Sequence, residues 1–496
     1  MISSSAGSLK PAPHSAASQH SPWGSVAEAA CLAFGLAALA WLIVVTLRML
    51  VSPAPQEMRE GALVLTTLAL LDGRNPYAVG EATGAANLYG ILYPLLVTPA
   101  ALVFGPGLAT HRIVAALGIL AATVIVWQSA RRAGAAAVPA LLAALLTLAG
   151  WLYWVGPTVR PDGVGLACLI GALAVAAPDP GSPRRFAFAV ALSLAGFAAK
   201  IYFAGGMMIV AAFVFLFVGW RRGIVFGLAS LAALVLWAGL LALTMPVWAS
   251  LVLGANLGAT SYEVGHLLRQ GLDWLVFSLP IIAAGVAAVI VLPRARWGGE
   301  AGFWAFAAVC GLAVLLASLG GHGGAHMTYF FHLLTPPLAI AIVAAARGHA
   351  AVTRALVLAL PPAVLLNAHW FVYDPGRFAP AEARFAIAGA LIAEARAPLV
   401  TTEFAALAAL AGHVPVETGH SEYALGPEGR EATREAIAAA LLQRRYDLVI
   451  VNRNNGGLVH ARDVEAAGYR RVAEMPVDLV WAMQAWGADV WRPPPD

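Results

Sequence analysis

The sequence predicts an all-α polytopic membrane domain of about eleven transmembrane helices, followed by a small C-terminal α/β soluble domain. This prediction rests first on composition, because 60% of the 496 residues are hydrophobic and only 11% are charged. Soluble proteins are about 45–50% apolar and about 25% charged. The apolar residues also form long runs that are separated by paired arginines. Residues 371–496 instead alternate strand-like and alanine-rich helical runs.

Eleven apolar runs are predicted to cross the membrane, although several are shorter than the ~20 residues of an untilted span. They lie at 27–50, 112–130, 137–157, 163–178, 186–199, 203–219, 223–245, 275–292, 301–319, 329–346 and 351–370. A further run, 88–106, contains Pro94, Pro99 and Pro106, which interrupt a regular helix. Hydropathy alone leaves the placement of this run ambiguous.

The basic residues resolve this ambiguity, because cytoplasmic loops carry an excess of Lys and Arg. If 88–106 does not cross, Lys10 and five arginine pairs share one side: Arg131/Arg132, Arg184/Arg185, Arg221/Arg222, Arg294/Arg296 and Arg347/Arg354. If it crossed, every pair would move to the side opposite Lys10. We therefore predict that 88–106 lies in the outer interface of the membrane. The N-terminus is then cytoplasmic and the C-terminal region periplasmic.

The composition of each region and its predicted side of the membrane divide the chain into three domains. Residues 1–26, rich in Ser, Ala and Pro, are predicted to be a disordered cytoplasmic tail rather than a signal peptide. Residues 27–370 form the membrane domain. Its first periplasmic loop, 51–111, contains juxtamembrane helices, of which the first is predicted at 56–71. Residues 371–496 form the periplasmic α/β domain.

Charge and cysteine content exclude two other classes of protein. The net charge of +4 does not indicate a nucleic-acid partner, because the basic residues lie between apolar runs and act as topology signals. Cys31, Cys168 and Cys310 all lie inside apolar runs, which excludes a disulfide framework and a CxxC metal site.

The candidate site residues lie on the predicted outer side, where acidic and basic side chains occur together. Glu60 could accept a proton from an attacking hydroxyl, or simply favour a helix N-terminus. Arg160 and Asp162 could hold a phosphate and a sugar, or form a local ion pair and a helix cap. Lys200 could bind a phosphate, or extend its amine to the interface.

The glycine-rich segment 320–329 carries His322 and His326, which are candidate metal ligands. Its four glycines argue against a rigid pair of ligands and favour close approach to a substrate. In the C-terminal domain, His413, His420 and the segment 453–457 are interpreted as loop residues without a chemical role. The sequence contains no P-loop, GxSxG or HExxH motif.

The order of these residues resembles the glycosyltransferase-C superfamily, in particular bacterial lipid A and polysaccharide sugar transferases and, more distantly, protein O-mannosyltransferases. The matching features are the acidic loop start Gln56–Glu60, the turn Gly73–Tyr77, the segment Tyr93–Leu96, Arg112, the Arg-Pro-Asp of 160–162 and Lys200. Two positions depart from the pattern. Leu95 replaces the second Pro of a paired-proline motif, and Thr328 stands where an Asn is expected.

The resemblance implies a membrane glycosyltransferase that moves a sugar, hexose or pentose, from a polyprenyl-phosphate donor to a hydroxyl of a glycan, lipid or polysaccharide acceptor. Glu60 would be the general base of an inverting reaction. The substrate-binding residues would be Arg160, Asp162, Lys200, Tyr202, Arg112, Tyr93, Arg74, Tyr77, His322, His326 and Tyr329. The resemblance implies no certain cofactor and leaves a divalent cation possible, because some members of the superfamily use one and others do not. It also implies a location in a bacterial inner membrane.

Two other functions were compatible with the membrane topology. A transporter or flippase for a lipid-linked or small solute would need polar or broken helices near the membrane midplane, whereas the spans are apolar there. A non-enzymatic scaffold that displays the C-terminal domain would leave the outer charged residues unexplained.

Overall fold

A computed structural model describes residues 22–78, 87–152, 156, 158–254, 262–321, 326–370, 375–453, 457–475 and 487–495. The first half of the membrane domain contains α1 (Pro22–Val51), α2 (Glu60–Leu71), α3 (Leu92–Phe104), α4 (Leu108–Arg132), α5 (Ala137–Leu152), α6 (Asp162–Ala176), α7 (Pro183–Ala199), α8 (Gly205–Phe213) and α9 (Trp220–Thr244). Short 3-10 and π segments, Ile201–Ala204 and Val214–Val218, flank α8 and extend it in both directions.

The second half contains α10 (Val264–Val291), α11 (Gly299–Ala317), α12 (Thr328–Leu333), α13 (Thr335–Ala346) and α14 (Ala350–Trp370). Among the described residues, seven helical segments of at least 18 residues are apolar enough to span a membrane. They are Val26–Val51, Leu108–Arg132, Ile201–Val218, Trp220–Thr244, Val264–Val291, Gly299–Ala317 and Thr328–Ala346. The predicted spans 137–157, 163–178 and 186–199 fall on helices of 15–17 residues, and 351–370 falls on α14. The predicted all-α polytopic architecture is confirmed.

The run 88–106 forms the short helix α3, which has 13 residues. At about 1.5 Å per residue it is about 20 Å long, less than the ~30 Å hydrocarbon core. Its last residues, Leu102, Val103 and Phe104, are 73–79% exposed. A short helix with an exposed apolar end suits the interface, as the arginine pairs predict.

Arg132 and Arg185, one from each of two arginine pairs, lie at the opposite end of the bundle from the predicted site residue Asp162. The helix α6 makes this clear, because Asp162 begins it and Ala176 ends it. Arg132 donates to the Ala174 carbonyl near that second end, and Arg185 donates to the Val175 carbonyl there at 2.9 Å. The two ends of this 15-residue helix are about 22 Å apart. The membrane domain therefore has one arginine-rich end and one end that carries acids, bases and aromatic residues.

The C-terminal domain contains α15 (Pro375–Glu394), α16 (Ala405–Leu410), α17 (Ser421–Leu442) and α18 (Ala461–Ala466), with strands β1 (Pro398–Val400), β2 (Leu448–Asn452), β3 (Arg470–Met475) and β4 (Ala488–Arg492). The sheet order is β1-β2-β4-β3, with β1 and β2 parallel and the other two pairs antiparallel. All five residues of β2 are buried, as its unbroken apolar run predicts. The predicted α/β fold is confirmed, and β4 is an additional strand.

The C-terminal domain packs on the first loop of the membrane domain. The Gly419 amide donates to the Met58 carbonyl at 3.2 Å. The helices α16 and α2 touch closely, since a Cβ built on Gly61 would lie 2.7 Å from the Ala405 Cβ. Only glycine allows this approach of the two helices, so the packing depends on the residue at position 61.

Replacing Gly61 by Leu is expected to separate the two domains, because the side chain needs space that Ala405 occupies. Overpacking of this kind costs about 1–3 kcal/mol. Limited proteolysis of the purified protein should then release a fragment of the C-terminal domain faster than in the wild type. Gly227→Leu is the matched control, because a Cβ at Gly227 meets nothing within 4 Å. Equal cleavage of both variants would contradict the docking.

Candidate active site

Glu60 forms a closed ion pair with Arg112, and both side chains are fully buried. Its Oε1 accepts hydrogen bonds from Arg112 Nε and the Val159 amide, both at 3.0 Å. Its Oε2 accepts from Arg112 Nη2 and the Gln56 amide, both at 2.8 Å. A carboxylate offers about four lone-pair positions, and all are used here. The geometry is that of a structural residue, and the base role of Glu60 stays a prediction.

Arg112 uses its remaining donors to hold the end of α1. It donates to the carbonyls of Met49, Ser52 and Ala54 at 3.2, 2.7 and 2.7 Å. The Glu60–Arg112 pair therefore connects α2 with α4, and the bond from Arg112 to Met49 connects both to the end of α1. Removing one partner of such a buried pair typically costs about 3–5 kcal/mol, because it leaves an uncompensated charge.

Glu57, three residues before Glu60, faces a different environment. Its Oε1 accepts from Arg59 Nη1 at 2.8 Å and from Arg160 Nη2 at 2.9 Å. Its Oε2 accepts only the Arg59 amide, at 3.2 Å, among the contacts of the described residues. One acceptor position of this carboxylate therefore remains for a proton or a substrate hydroxyl.

Asp162 and Lys200 form the second ion pair of the site. Asp162 begins α6 and Lys200 follows α7, so two neighbouring helix ends bring them together. Lys200 Nζ lies 3.1 Å from Asp162 Oδ1. Asp162 Oδ2 is buried and has no hydrogen-bond partner among the described residues. We refer to Glu57, Arg59, Arg160, Asp162 and Lys200 as the charged cluster.

Tyr202 and His332 extend the cluster on the side of Asp162. The Tyr202 hydroxyl lies 3.4 Å from Asp162 Oδ1 and 2.8 Å from His332 Nδ1. His332 was not among the site residues predicted from the sequence. It lies three residues after Tyr329 in α12, and residues at this spacing share one face of a helix. That spacing is the signal that could have found it.

Three tyrosines surround the Lys200 amine. Its Nζ lies 4.8 Å from the ring centroid of Tyr89, 5.3 Å from that of Tyr202 and 5.1 Å from that of Tyr329. These distances are those of cation–π contacts. Gly90 brings Tyr89 here, because its amide donates to the Ala199 carbonyl at 3.0 Å and a Cβ would overlap the Ala198 oxygen.

The charges of the cluster leave one positive charge in excess, since three cations face two carboxylates. Burial alone would raise the pKa of Glu57, but Arg160 and Arg59 hold it below its ordinary value. Burial would lower the pKa of Lys200, but Asp162 raises it above its ordinary value. Glu57 is therefore anionic and Lys200 cationic at neutral pH. A site with this excess suits an anionic ligand.

His326 also belongs to this site. Burial, together with Arg160, Arg59 and Lys200, lowers its pKa to about 3, so the ring is neutral. Tyr329 and His326 were both predicted from the sequence, and the structure brings them together with Arg160, Asp162, Lys200 and Tyr202.

Other predicted binding residues lie away from the cluster. Tyr93 is buried and donates to the His111 carbonyl at 2.6 Å. Tyr77 is buried and donates to the Tyr89 carbonyl at 2.8 Å, which supports the loop behind the cluster. Arg74 is exposed and pairs with Asp72. His322 lies outside the described residues.

No group of three or more His, Cys, Asp or Glu side chains that could hold a metal ion occurs within the described part of the chain. The Asp162–His332 neighbourhood holds only two such groups close together, with His332 Nδ1 3.8 Å from Asp162 Oδ1.

Comparison with solved structures places this geometry in a known architecture. No family model and no curated protein matches the sequence. The structure is similar to ArnT from Cupriavidus metallidurans bound to undecaprenyl phosphate, with a TM-score of 0.58, 14% identity, and coverage of 95% of this chain and 98% of that chain. Two further structures match with TM-scores below 0.5, and each covers most of this chain. One is ArnT of the same organism in the apo state, with a TM-score of 0.48, 14% identity, and coverage of 92% of this chain and 97% of that chain. The other is the archaeal oligosaccharyltransferase AglB from Archaeoglobus fulgidus, with a TM-score of 0.46, 13% identity, and coverage of 85% of this chain and 69% of that chain.

The similarity to ArnT covers nearly the whole of both chains, so it includes the membrane helices and the C-terminal domain. It agrees with the fold that the motifs between Gln56 and Lys200 predicted. The chain therefore shares the fold of this ArnT structure.

Proposed function

We propose that the protein is an integral membrane glycosyltransferase that transfers a sugar from a polyprenyl-phosphate donor to an acceptor hydroxyl. The observation that carries this proposal is the charged cluster, which combines an excess of buried positive charge with carboxylates that have free acceptor positions. The solved ArnT structure of the same fold is bound to undecaprenyl phosphate, which supports a lipid-linked phosphate as the ligand.

In the proposed reaction the acceptor hydroxyl attacks the anomeric carbon of the donor sugar. The bond from that carbon to the phosphate oxygen breaks, and polyprenyl phosphate leaves with the bonding electrons. Lys200 and Arg160 stabilise the charge that grows on this phosphate. Attack from the opposite face inverts the configuration of the anomeric carbon, and Tyr202, Tyr329 and His326 surround the sugar and phosphate.

The general base removes the proton of the attacking hydroxyl, and we propose Glu57 for this role in place of Glu60. Glu60 has no acceptor position left, because Arg112 and two backbone amides use all four. Glu57 keeps one on Oε2. Asp162 also has a free oxygen, but it pairs with Lys200, which we assign to the leaving phosphate.

The reaction is proposed to occur on the periplasmic side of a bacterial inner membrane. The arginine-rich end of the bundle, where Arg132 and Arg185 bind the end of α6, would be cytoplasmic. The charged cluster and the C-terminal domain would then face the periplasm. Glycan, lipid or polysaccharide acceptors would approach from that side.

The purified protein in lipid nanodiscs, supplied with a panel of undecaprenyl-phosphate sugars and candidate acceptors, is expected to release undecaprenyl phosphate with at least one donor. Mass spectrometry of the lipid fraction measures this release. A heat-inactivated sample corrects for spontaneous hydrolysis. Movement of an intact lipid or solute across liposomes, without cleavage of any donor, would support a transporter and contradict the proposal.

A further inference from the structure

His420 of the C-terminal domain lies against the membrane domain at the charged cluster. It precedes α17 and is 2% exposed. The Leu88 amide donates to His420 Nδ1 at 3.3 Å, a contact between residues 332 positions apart in the chain. The neighbouring Gly419 amide binds the Met58 carbonyl, so two bonds fix this loop on the first loop of the membrane domain.

The second ring nitrogen of His420 has no acceptor. Because Nδ1 accepts the Leu88 amide, the neutral ring carries its hydrogen on Nε2. Nε2 is buried and has no hydrogen-bond partner among the described residues. Burial and the charges of Arg59, Arg160 and Lys200 lower the pKa of His420 well below its ordinary value, so the ring stays neutral. A buried N–H donor without an acceptor is costly, which indicates that a ligand supplies one.

The surroundings of His420 define the ligand chemistry. The Tyr89 ring contacts both His420 and Lys200, with its centroid 4.6 Å from the His420 ring and 4.8 Å from Lys200 Nζ. The neutral His420 ring therefore adds a hydrogen-bond donor to a region that already holds the cations Arg59, Arg160 and Lys200. Hydrogen-bond donors and cations that lie this close together suit the oxygens of a phosphate.

We infer that His420 donates a hydrogen bond from Nε2 to an oxygen of the lipid-linked phosphate, so that the C-terminal domain completes the donor site. This inference rests on the proposed function, because it takes the phosphate from that reaction. His420 acts as a substrate-positioning residue, and it makes donor binding depend on the docked C-terminal domain.

Two variants test whether His420 donates a hydrogen bond to the ligand or only supports the fold. His420→Asn keeps an acceptor near the Nδ1 position for the Leu88 amide but has no donor near Nε2. His420→Gln can place an amide N–H near the Nε2 position but has no acceptor near Nδ1. We expect His420→Asn to bind undecaprenyl phosphate about ten- to hundredfold more weakly than the wild type. His420→Gln should bind within about threefold of the wild type.

The measurement is equilibrium binding of undecaprenyl phosphate to full-length protein in nanodiscs, with thermal unfolding of the free protein in parallel. His420→Asn should unfold like the wild type while binding the lipid weakly. Wild-type affinity in His420→Asn would overturn the inference and leave the proposed function intact. Weak binding by His420→Gln with normal binding by His420→Asn would assign His420 a structural role.

Inorganic phosphate provides the second arm of the experiment. We expect millimolar phosphate to leave the bound lipid in place, because the ligand is the phosphate of a lipid. Displacement of the lipid by micromolar phosphate would reassign the site to free phosphate. No binding of undecaprenyl phosphate by the wild type would overturn the proposed function itself.

Discussion

Replacing Glu57 by Gln is expected to slow sugar transfer by about 10²–10⁴-fold, the usual loss when a general base is removed. The glutamine keeps an oxygen for Arg160 and Arg59, but it removes the charge that pairs with the buried Arg160, so stability is expected to fall as well. Transfer is measured as release of undecaprenyl phosphate per folded molecule. Binding of undecaprenyl phosphate should change far less than the rate, because the base contacts the acceptor and not the lipid.

Glu60→Gln is the matched control, since the same isosteric change is made three residues away. It leaves the fully buried Arg112 without its counter-ion, which should cost about 3–5 kcal/mol of folding free energy. The midpoint of thermal unfolding should fall clearly, whereas transfer per folded molecule should stay within about tenfold of the wild type. The opposite pattern, normal transfer in Glu57→Gln and lost transfer in folded Glu60→Gln, would return the base role to Glu60.

Replacing Lys200 by Met is expected to abolish most binding of undecaprenyl phosphate, with a loss of at least about tenfold to hundredfold. Lys200 is the cation closest to Asp162, and three tyrosine rings surround its amine. The variant also leaves the carboxylate of Asp162 buried without its main partner, so its stability should fall as well. Lipid binding and thermal unfolding are therefore measured together.

A second substitution separates the two effects. Asp162→Asn removes the unpaired charge, so the double variant with Lys200→Met should recover most of the lost stability but not the lipid binding. Arg221→Met is the control for loss of a cation, because Arg221 is exposed at the start of α9. Recovery of lipid binding in the double variant would show that Lys200 serves the fold and not the phosphate.

The sequence predicted the features that depend on local pattern. Apolar runs predicted the membrane helices, and the prolines of 88–106 predicted an interrupted run, which contains a helix of only 13 residues. The interfacial position of this run, inferred from the arginine pairs, stays a prediction. The turn-forming segment after α2 and the unbroken apolar strand β2 were likewise readable from residue type. These features follow from hydropathy and from the periodic spacing of apolar residues, which are local properties of the sequence and do not depend on distant contacts.

The site itself was only partly predictable, because partners come from distant parts of the chain. Glu57 and Glu60 look alike in sequence, and Arg112, 52 positions after Glu60, distinguishes them. The local ion pair considered for Arg160 and Asp162 does not describe the structure, where Arg160 binds Glu57 and Asp162 binds Lys200. His420 could not be assigned to the site, because only domain docking brings it to Leu88.

The measurement that tests the central claim most directly is an experimental structure of the full-length protein with undecaprenyl phosphate. The account predicts that the phosphate lies within hydrogen-bond distance of Lys200 Nζ and of Arg160, with His420 Nε2 facing one of its oxygens. The lipid chain should leave between the membrane helices. A phosphate bound at the arginine-rich end of the bundle, or bound without contact to Lys200 and Arg160, would contradict the account.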